Sequence, residues 1–165
     1  MVDIFLDTSV FIEHILGNFS IVKLVNKDRL FSSINVLEET FYKSIILKTF
    51  EKFGKISKYT AKKKYIKNPA LYNDIIMFFE EFIDSLVRDG YLKILEVDLE
   101  IFTLSVKISK KYGLLPNDAL IAATCKHHGI SKIAIFDPDF KRVDFLEIIS
   151  RNKNMSETIP GVRAR

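Results

Sequence analysis

Four acidic residues stand where strand ends and helix starts would bring them together. Asp7 closes the mostly apolar run 2–6 (VDIFL), and Asp137 closes the run 133–136 (IAIF). Ligands of open parallel α/β sheets gather beyond the carboxyl ends of the strands, so both side chains are expected to face one crevice. Glu39 follows a short strand at 30–32 and falls in the first turn of the next helix, with Glu38 beside it. Asp118 follows Pro116 at another helix start. Taken singly, such an acid is an ordinary helix cap, contributing roughly 0.3 to 1 kcal/mol. Taken together, they imply chemistry. Two like charges about 4 Å apart repel by roughly 4 kcal/mol at an effective dielectric of 20, and several such pairs rival a domain's whole stability of about 5 to 15 kcal/mol. The cluster needs protons or a cation. Hard oxygen ligands suit Mg²⁺ or Mn²⁺, as one ion or two. A bound ion lowers the pKa of water, and a second about 3.5 to 4 Å away stabilises the leaving oxygen of an in-line displacement. A phosphodiester is the substrate class this arrangement suits, and it requires no cysteine, serine or histidine nucleophile.

The elements that would carry these acids can be read from periodicity. The run 2–6 reads as a buried parallel strand, and Thr8 or Ser9 can cap a helix over 10–16 that stops at Gly17-Asn18. A second helix is expected over 20–27, a short strand near 30–32, and a long helix over 35–53 ended by Gly54. A lysine-rich stretch and a helix over 71–89 form a helical-hairpin insertion at about 54–100. A strand over 91–95, helices over 99–112 and 116–128, and strands over 133–136 and 145–149 complete the pattern. Strands alternating with helices predict an α/β fold of three layers, α/β/α, around a mainly parallel sheet. The chain reads as a single domain over 1–150 with a flexible basic tail over 151–165.

Composition narrows the class further. With 165 residues, 48% hydrophobic and 28% charged, the chain has a globular composition, well removed from the signature of disorder. One cysteine excludes an internal disulfide and, with three histidines, a Cys/His zinc site. No apolar stretch approaches the roughly 18 to 20 residues needed to cross a bilayer, and the first residues lack a basic leader, so no membrane association and a cytoplasmic location are expected. Charge is unevenly placed. Residues 43–67 hold nine lysines against Glu51, a net +8, which leaves −4 for the rest of a chain of net +4. A basic arm on an acidic body suits a polyanion held by lysines while chemistry happens elsewhere. Lys55, Lys58, Lys62, Lys63, Lys64 and Lys67 are the candidate nucleic-acid contacts, and the bland alternative is a solvated helical surface.

The segments IFLDTSVFIEHIL, SSINVLEETFYK, LPNDALIAATCKHHGI and AIFDPDFKRV resemble, in order, the four acidic motifs of the PIN-domain nuclease family. The resemblance spans both ends of the chain and leaves out only the insertion and the tail. LPNDALIAA is its most specific part. It implies a PIN-like α/β/α fold and metal-dependent hydrolysis of RNA phosphodiesters, in the manner of VapC-like toxins held by antitoxin partners. Carried over by position, Asp7, Glu39, Asp118 and Asp137 match the metal-binding, catalytic acids. Thr8 or Ser9 matches the assisting hydroxyl, and Asn117 and Asp139 match auxiliary positions. Glu38 competes with Glu39, but neighbours on a helix point about 100° apart, so only one can face the site. Glu39 is preferred because it precedes Thr40-Phe41-Tyr42 as the motif glutamate precedes its helix. Two features depart from the family pattern: the lysine-rich insertion, and Phe136 where threonine or serine commonly precedes the last acid.

Other residues read as structural. His14 lies away from the start of its helix, and His127 and His128 sit at the far end of the Asp118 helix, where a cation favours the dipole. Phe78, Phe79, Phe82, Ile75, Ile83 and Leu86 follow helical spacing and are expected in the core or in a homodimer interface. Tyr59 and Tyr65, interleaved with lysines, could stack on unpaired bases. The expected function is a ribonuclease using Mg²⁺ or Mn²⁺, a toxin with an antitoxin partner. The alternative is a catalytically silent PIN-like module that binds RNA or another protein.

Overall fold

Ile4, Phe5 and Leu6 are all buried, although neighbours on a strand point to opposite faces. Only a strand covered on both sides buries all three, and β1 (Asp3–Leu6) is the middle strand of a five-stranded parallel sheet of order β3-β2-β1-β4-β5. The computed structural model describes residues 1–25, 27–136 and 138–149. Along the chain come α1 (Thr8–Ile15), α2 (Val22–Val25), β2 (Arg29–Ser33), α3 (Ile34–Phe53) and α4 (Lys58–Lys67). A 3₁₀ turn (Pro69–Tyr72) then leads into α5 (Asn73–Met77), a π-helical stretch (Phe78–Ile83) and α6 (Asp84–Arg88). β3 (Leu92–Leu95), α7 (Leu99–Tyr112), α8 (Pro116–His127), β4 (Lys132–Ala134), a 3₁₀ turn (Pro138–Arg142) and β5 (Glu147–Ile149) follow.

Helices flank the sheet to give the α/β/α layering. β2 pairs with β1 through Ile4↔Leu30, and β4 pairs with β1 through Phe5↔Ile133. The chain builds outward from β1 to β3 on one side, then crosses to β4 and β5 on the other. The reversal opens a crevice beyond the carboxyl ends of β1 and β4, where ligands of such sheets bind.

The helical hairpin runs from α4 through α6 and stops before β3. Leu92–Leu95 belongs to the sheet, paired with β2 from Leu30↔Leu92 to Ser33↔Leu95. Leu92 and Leu95 are buried there, so the accessory helices occupy a narrower span than 54–100. Their apolar residues close against the body. Ile83 and Leu86 join the main core, with Phe78, Phe79 and Phe82 packed on it, while Tyr72 and Ile75 bury against Ile45 of α3. The Tyr72 hydroxyl lies 2.7 Å from the Thr49 hydroxyl, which ties the 3₁₀ turn to α3.

Two local endings set the site's frame. Gly113, in the left-handed region at φ 66°, ends α7 with its N–H on the Ser109 carbonyl at 2.8 Å. Only a residue without a Cβ turns there cheaply, so the chain reverses at once into α8. Pro116 then occupies the first position of α8, where its missing N–H costs nothing. Glu39 lies in the second turn of α3 rather than the first, because the helix begins at Ile34 directly after β2. The tail 151–165 lies outside the described residues.

Candidate active site

Asp7 leaves β1 in an extended conformation and caps α1. Its Oδ2 accepts from the Ser9 N–H at 2.9 Å and from the Ser9 hydroxyl at 2.8 Å. The same hydroxyl accepts the Phe136 N–H at 3.0 Å. Ser9 therefore binds the loop after β1 to the loop after β4, and the residue following Phe136 is the expected acid Asp137. Asp137 itself, and the side chain of Asp139, lie outside the described residues. Asp7 is 6% exposed. Burial pushes its carboxyl above the usual aspartate value, the bonds from Ser9 and Thr8 oppose that rise, and the nearby Glu39 charge adds to it.

Glu39 is held from three sides. The Thr8 hydroxyl donates to its Oε2 at 2.9 Å, the Asn117 side-chain amide donates to the same oxygen, and the Lys43 ammonium sits 2.7 Å from Oε1. Asn117 is aimed in turn. Its Oδ1 accepts from the Asn35 amide at 2.9 Å, and the Ser33 hydroxyl donates to Asn35 Oδ1 at 2.7 Å. The start of α3 thus orients the start of α8, and α8 orients Glu39.

These residues line one open cleft of about 390 Å³, bounded by Asp7, Thr8, Ser9, Glu13, Glu39, Lys43 and Asp118 together with Ile12, Ile135, Phe136 and Pro138. Glu38 is exposed and does not line it. Three of the four expected acids and both candidate hydroxyls therefore share the cleft, and Asn117 supports it through Glu39. Among the described residues no three acidic, histidine or cysteine side chains stand close enough to hold a metal ion. Asp7, Glu39 and Asp118 face a common space without closing on one point. Their donor set is nevertheless that of a hard divalent cation, all carboxylate oxygen, and the deeply buried Asp7 is a group whose charge a cation would relieve. The residues fit such an ion.

Sequence reasoning overlooked Lys43, Glu13 and Asn35. The signal for Lys43 was present, since a lysine four residues after a glutamate shares its helical face. Glu13 stands likewise four residues after Ser9 on α1. Asn35 carried no comparable signal, because its partner is 82 residues away.

The candidate RNA contacts Lys55, Lys58, Lys62, Lys63, Lys64 and Lys67 are all exposed, and none lines the cleft. Lys55 precedes α4, and the other five radiate from it in several directions, with Ala61 the buried anchor. Lys63 lies 4.5 Å from the Tyr59 ring centre, Lys64 4.6 Å from that of Phe53, and Lys62 5.8 Å from that of Tyr42. The histidines stay away from the cleft: His14 stacks on Phe82 at 4.7 Å, and His128 contacts the Glu96 carbonyl at 3.1 Å.

The PIN domain family model matches residues 4–146. Ribonuclease VapC6 of Methanocaldococcus jannaschii is 38% identical over 152 residues, which cover 89% of this chain and 96% of that protein. Ribonuclease VapC2 of the same organism is 38% identical over 151 residues, covering 88% of this chain and 92% of that protein. Among solved structures, VapBC2 from Rickettsia felis bound to a DNA fragment from their promoter superposes with a TM-score of 0.53 at 17% identity, over 90% of this chain and 98% of that one.

Proposed function

The chain belongs to the PIN domain family, and on that premise we propose that it is a divalent-metal-dependent endoribonuclease of the VapC toxin type. The observation that carries this reading is the shared cleft. Asp7, Glu39 and Asp118, from three separate stretches of sequence, line one crevice at the point where the sheet reverses its strand order. A surface meant only to bind a polyanion gains nothing from collecting carboxylates there.

Asp7, Glu39, Asp118 and Asp137 would hold Mg²⁺ or Mn²⁺, as one ion or two. When bound, such an ion would activate water for attack and offset charge on the phosphate. The chain's own residues prepare the site. Ser9 fixes the Asp7 carboxylate and joins it to the backbone of Phe136. Thr8 and Asn117 fix Oε2 of Glu39, so this carboxylate does not need to reorganise when charge enters the cleft. The lysines of α4 hold RNA phosphates outside the cleft.

Relatives named as VapC ribonucleases support RNA as substrate, and the Rickettsia felis relative, a VapBC2, supports an antitoxin partner. Leu99, Phe102 and Val106 form an exposed apolar stripe along α7 that a second copy of the chain could cover in a homodimer. The reading places the enzyme in the cytoplasm, where its RNA substrate is. No helix among the described residues is long and apolar enough to cross a membrane. The single domain spans 1–150, followed by the basic tail 151–165.

The second reading, a silent binding module, draws on one observation: Lys43 already compensates Glu39. Cleavage decides between them. A mixed RNA pool should be cut with Mn²⁺ or Mg²⁺, remain intact with a chelator, and remain intact with Asp7→Asn. Intact RNA under every metal condition would leave the binding module as the better account.

A further inference from the structure

The cleft is acidic, yet its expected substrate is a polyanion. Asp7, Glu13, Glu39 and Asp118 line it, and among the described lining residues Lys43 is the single cation. Its ammonium touches Oε1 of Glu39 at 2.7 Å, while the side chain remains 52% exposed. A half-exposed ion pair of this kind adds little to stability, so fold maintenance does not account for a lysine at this position. Its location suggests another use. Tyr42 is its neighbour on α3, and Lys62 of α4 lies over the Tyr42 ring at 5.8 Å. Lys62 of the basic arm thus contacts the residue that directly precedes the cleft-lining Lys43 on α3.

We propose that Lys43 is the substrate-positioning residue of the cleft, receiving an RNA phosphate at the rim and handing the strand on to Lys62 along α3. The inference rests on the ribonuclease reading and adds the residue through which the backbone enters. An ammonium carries three N–H donors, so the half-exposed Lys43 can bind a phosphate while one of them stays on Glu39. Paired with Glu39 before metal binds, Lys43 also prevents an uncompensated carboxylate from repelling the incoming strand.

The test uses the full chain, a fluorescein-labelled single-stranded RNA and three proteins: wild type, Lys43→Met and Lys43→Arg. With a chelator present, Lys43→Met should bind the RNA about tenfold more weakly, with the slope of log affinity against log salt shallower by about 0.7, the value of one phosphate contact on a single strand. Lys43→Arg should restore both. With Mn²⁺ and cleavable RNA, Lys43→Met should raise KM more than it lowers kcat. Mn²⁺ titration without RNA supplies the structural control. Lys43→Met should bind the ion at least as tightly as wild type, because a competing cation is gone. Unchanged RNA affinity and salt slope would overturn the proposal. So would weaker Mn²⁺ binding by Lys43→Met, which would mean that the lysine merely shapes Glu39. Wild-type cleavage of the same RNA is read alongside, so loss of the ribonuclease reading and loss of the Lys43 assignment give different patterns.

Discussion

The side-chain amide of Asn117 donates to Oε2 of Glu39 across 78 residues of sequence. The Thr8 hydroxyl reaches the same oxygen from β1's end of the cleft, so one carboxylate oxygen joins α1, α3 and α8. Each of these helices starts directly beyond a strand or a tight turn. The cleft is therefore a junction of helix starts, with Glu39 as its common acceptor.

Removing the amide should damage activity far more than fold. Partners that orient a metal-binding carboxylate typically matter by about 10-fold to 100-fold in affinity or rate. Asn117→Ala should lower cleavage by that amount, while losing stability of about 1 kcal/mol, the value of an ordinary hydrogen bond. Paired rate and melting measurements check this, and a rate within about twofold of wild type would refute the orienting role.

Divalent ions should raise the melting temperature. An ion that binds only the folded state stabilises it by about 2.7 kcal/mol at a hundredfold excess over Kd. Asp7→Asn should lose most of that gain, yet melt no lower than wild type without metal. Asparagine is an equally good N-cap, and the substitution removes a buried charge. A wild-type melting curve indifferent to saturating Mn²⁺ would contradict the metal assignment.

Charge reversal at Lys62, Lys63 and Lys64 tests the basic arm. All three are exposed and lie over aromatic rings, so folding should change little. RNA affinity should fall, and its salt slope should flatten by about 0.7 for each phosphate no longer neutralised. Parallel salt slopes for variant and wild type would return α4 to a solvated surface.

His14 should make the protein acid-sensitive. Burial holds its imidazole below the usual value, opposed by the Phe19 carbonyl 3.2 Å from Nδ1. The unfolded chain therefore takes up a proton near pH 6.5 that the folded chain still refuses, so stability falls as pH drops through that value toward the lower folded one. His14→Phe, which keeps a ring against Phe82, should flatten the melting temperature between about pH 7 and pH 5. An identical acid slope in the variant would assign the sensitivity to other groups.

Local chemistry wrote much of this fold into the sequence. Apolar runs ending in acids marked β1 and β4, glycines marked the ends of α3 and α7, and Pro116 marked the start of α8. Asp7, Thr8, Ser9 and Asp118 could be picked out because a strand end or a helix start is a local signal. The position of Glu39 was legible to within a turn, since propensity does not say whether a helix begins at its first polar residue or, as here, directly on the last residue of a strand. β3 looked like part of an insertion because Leu92–Leu95 is short and its partner β2 is 62 residues earlier.

What the sequence determined by itself was the succession of elements and which acids stood at their ends, because periodicity, caps and turn residues act over a few neighbouring positions. Tertiary structure alone decided that β4 lies beside β1, that Ser9 binds the Phe136 backbone, and that Lys43, Thr8 and Asn117 divide Glu39 among them. Those pairings depend on which strands adjoin and how helices lean on the sheet, and that is settled by burying apolar faces across the whole chain rather than by any stretch of it.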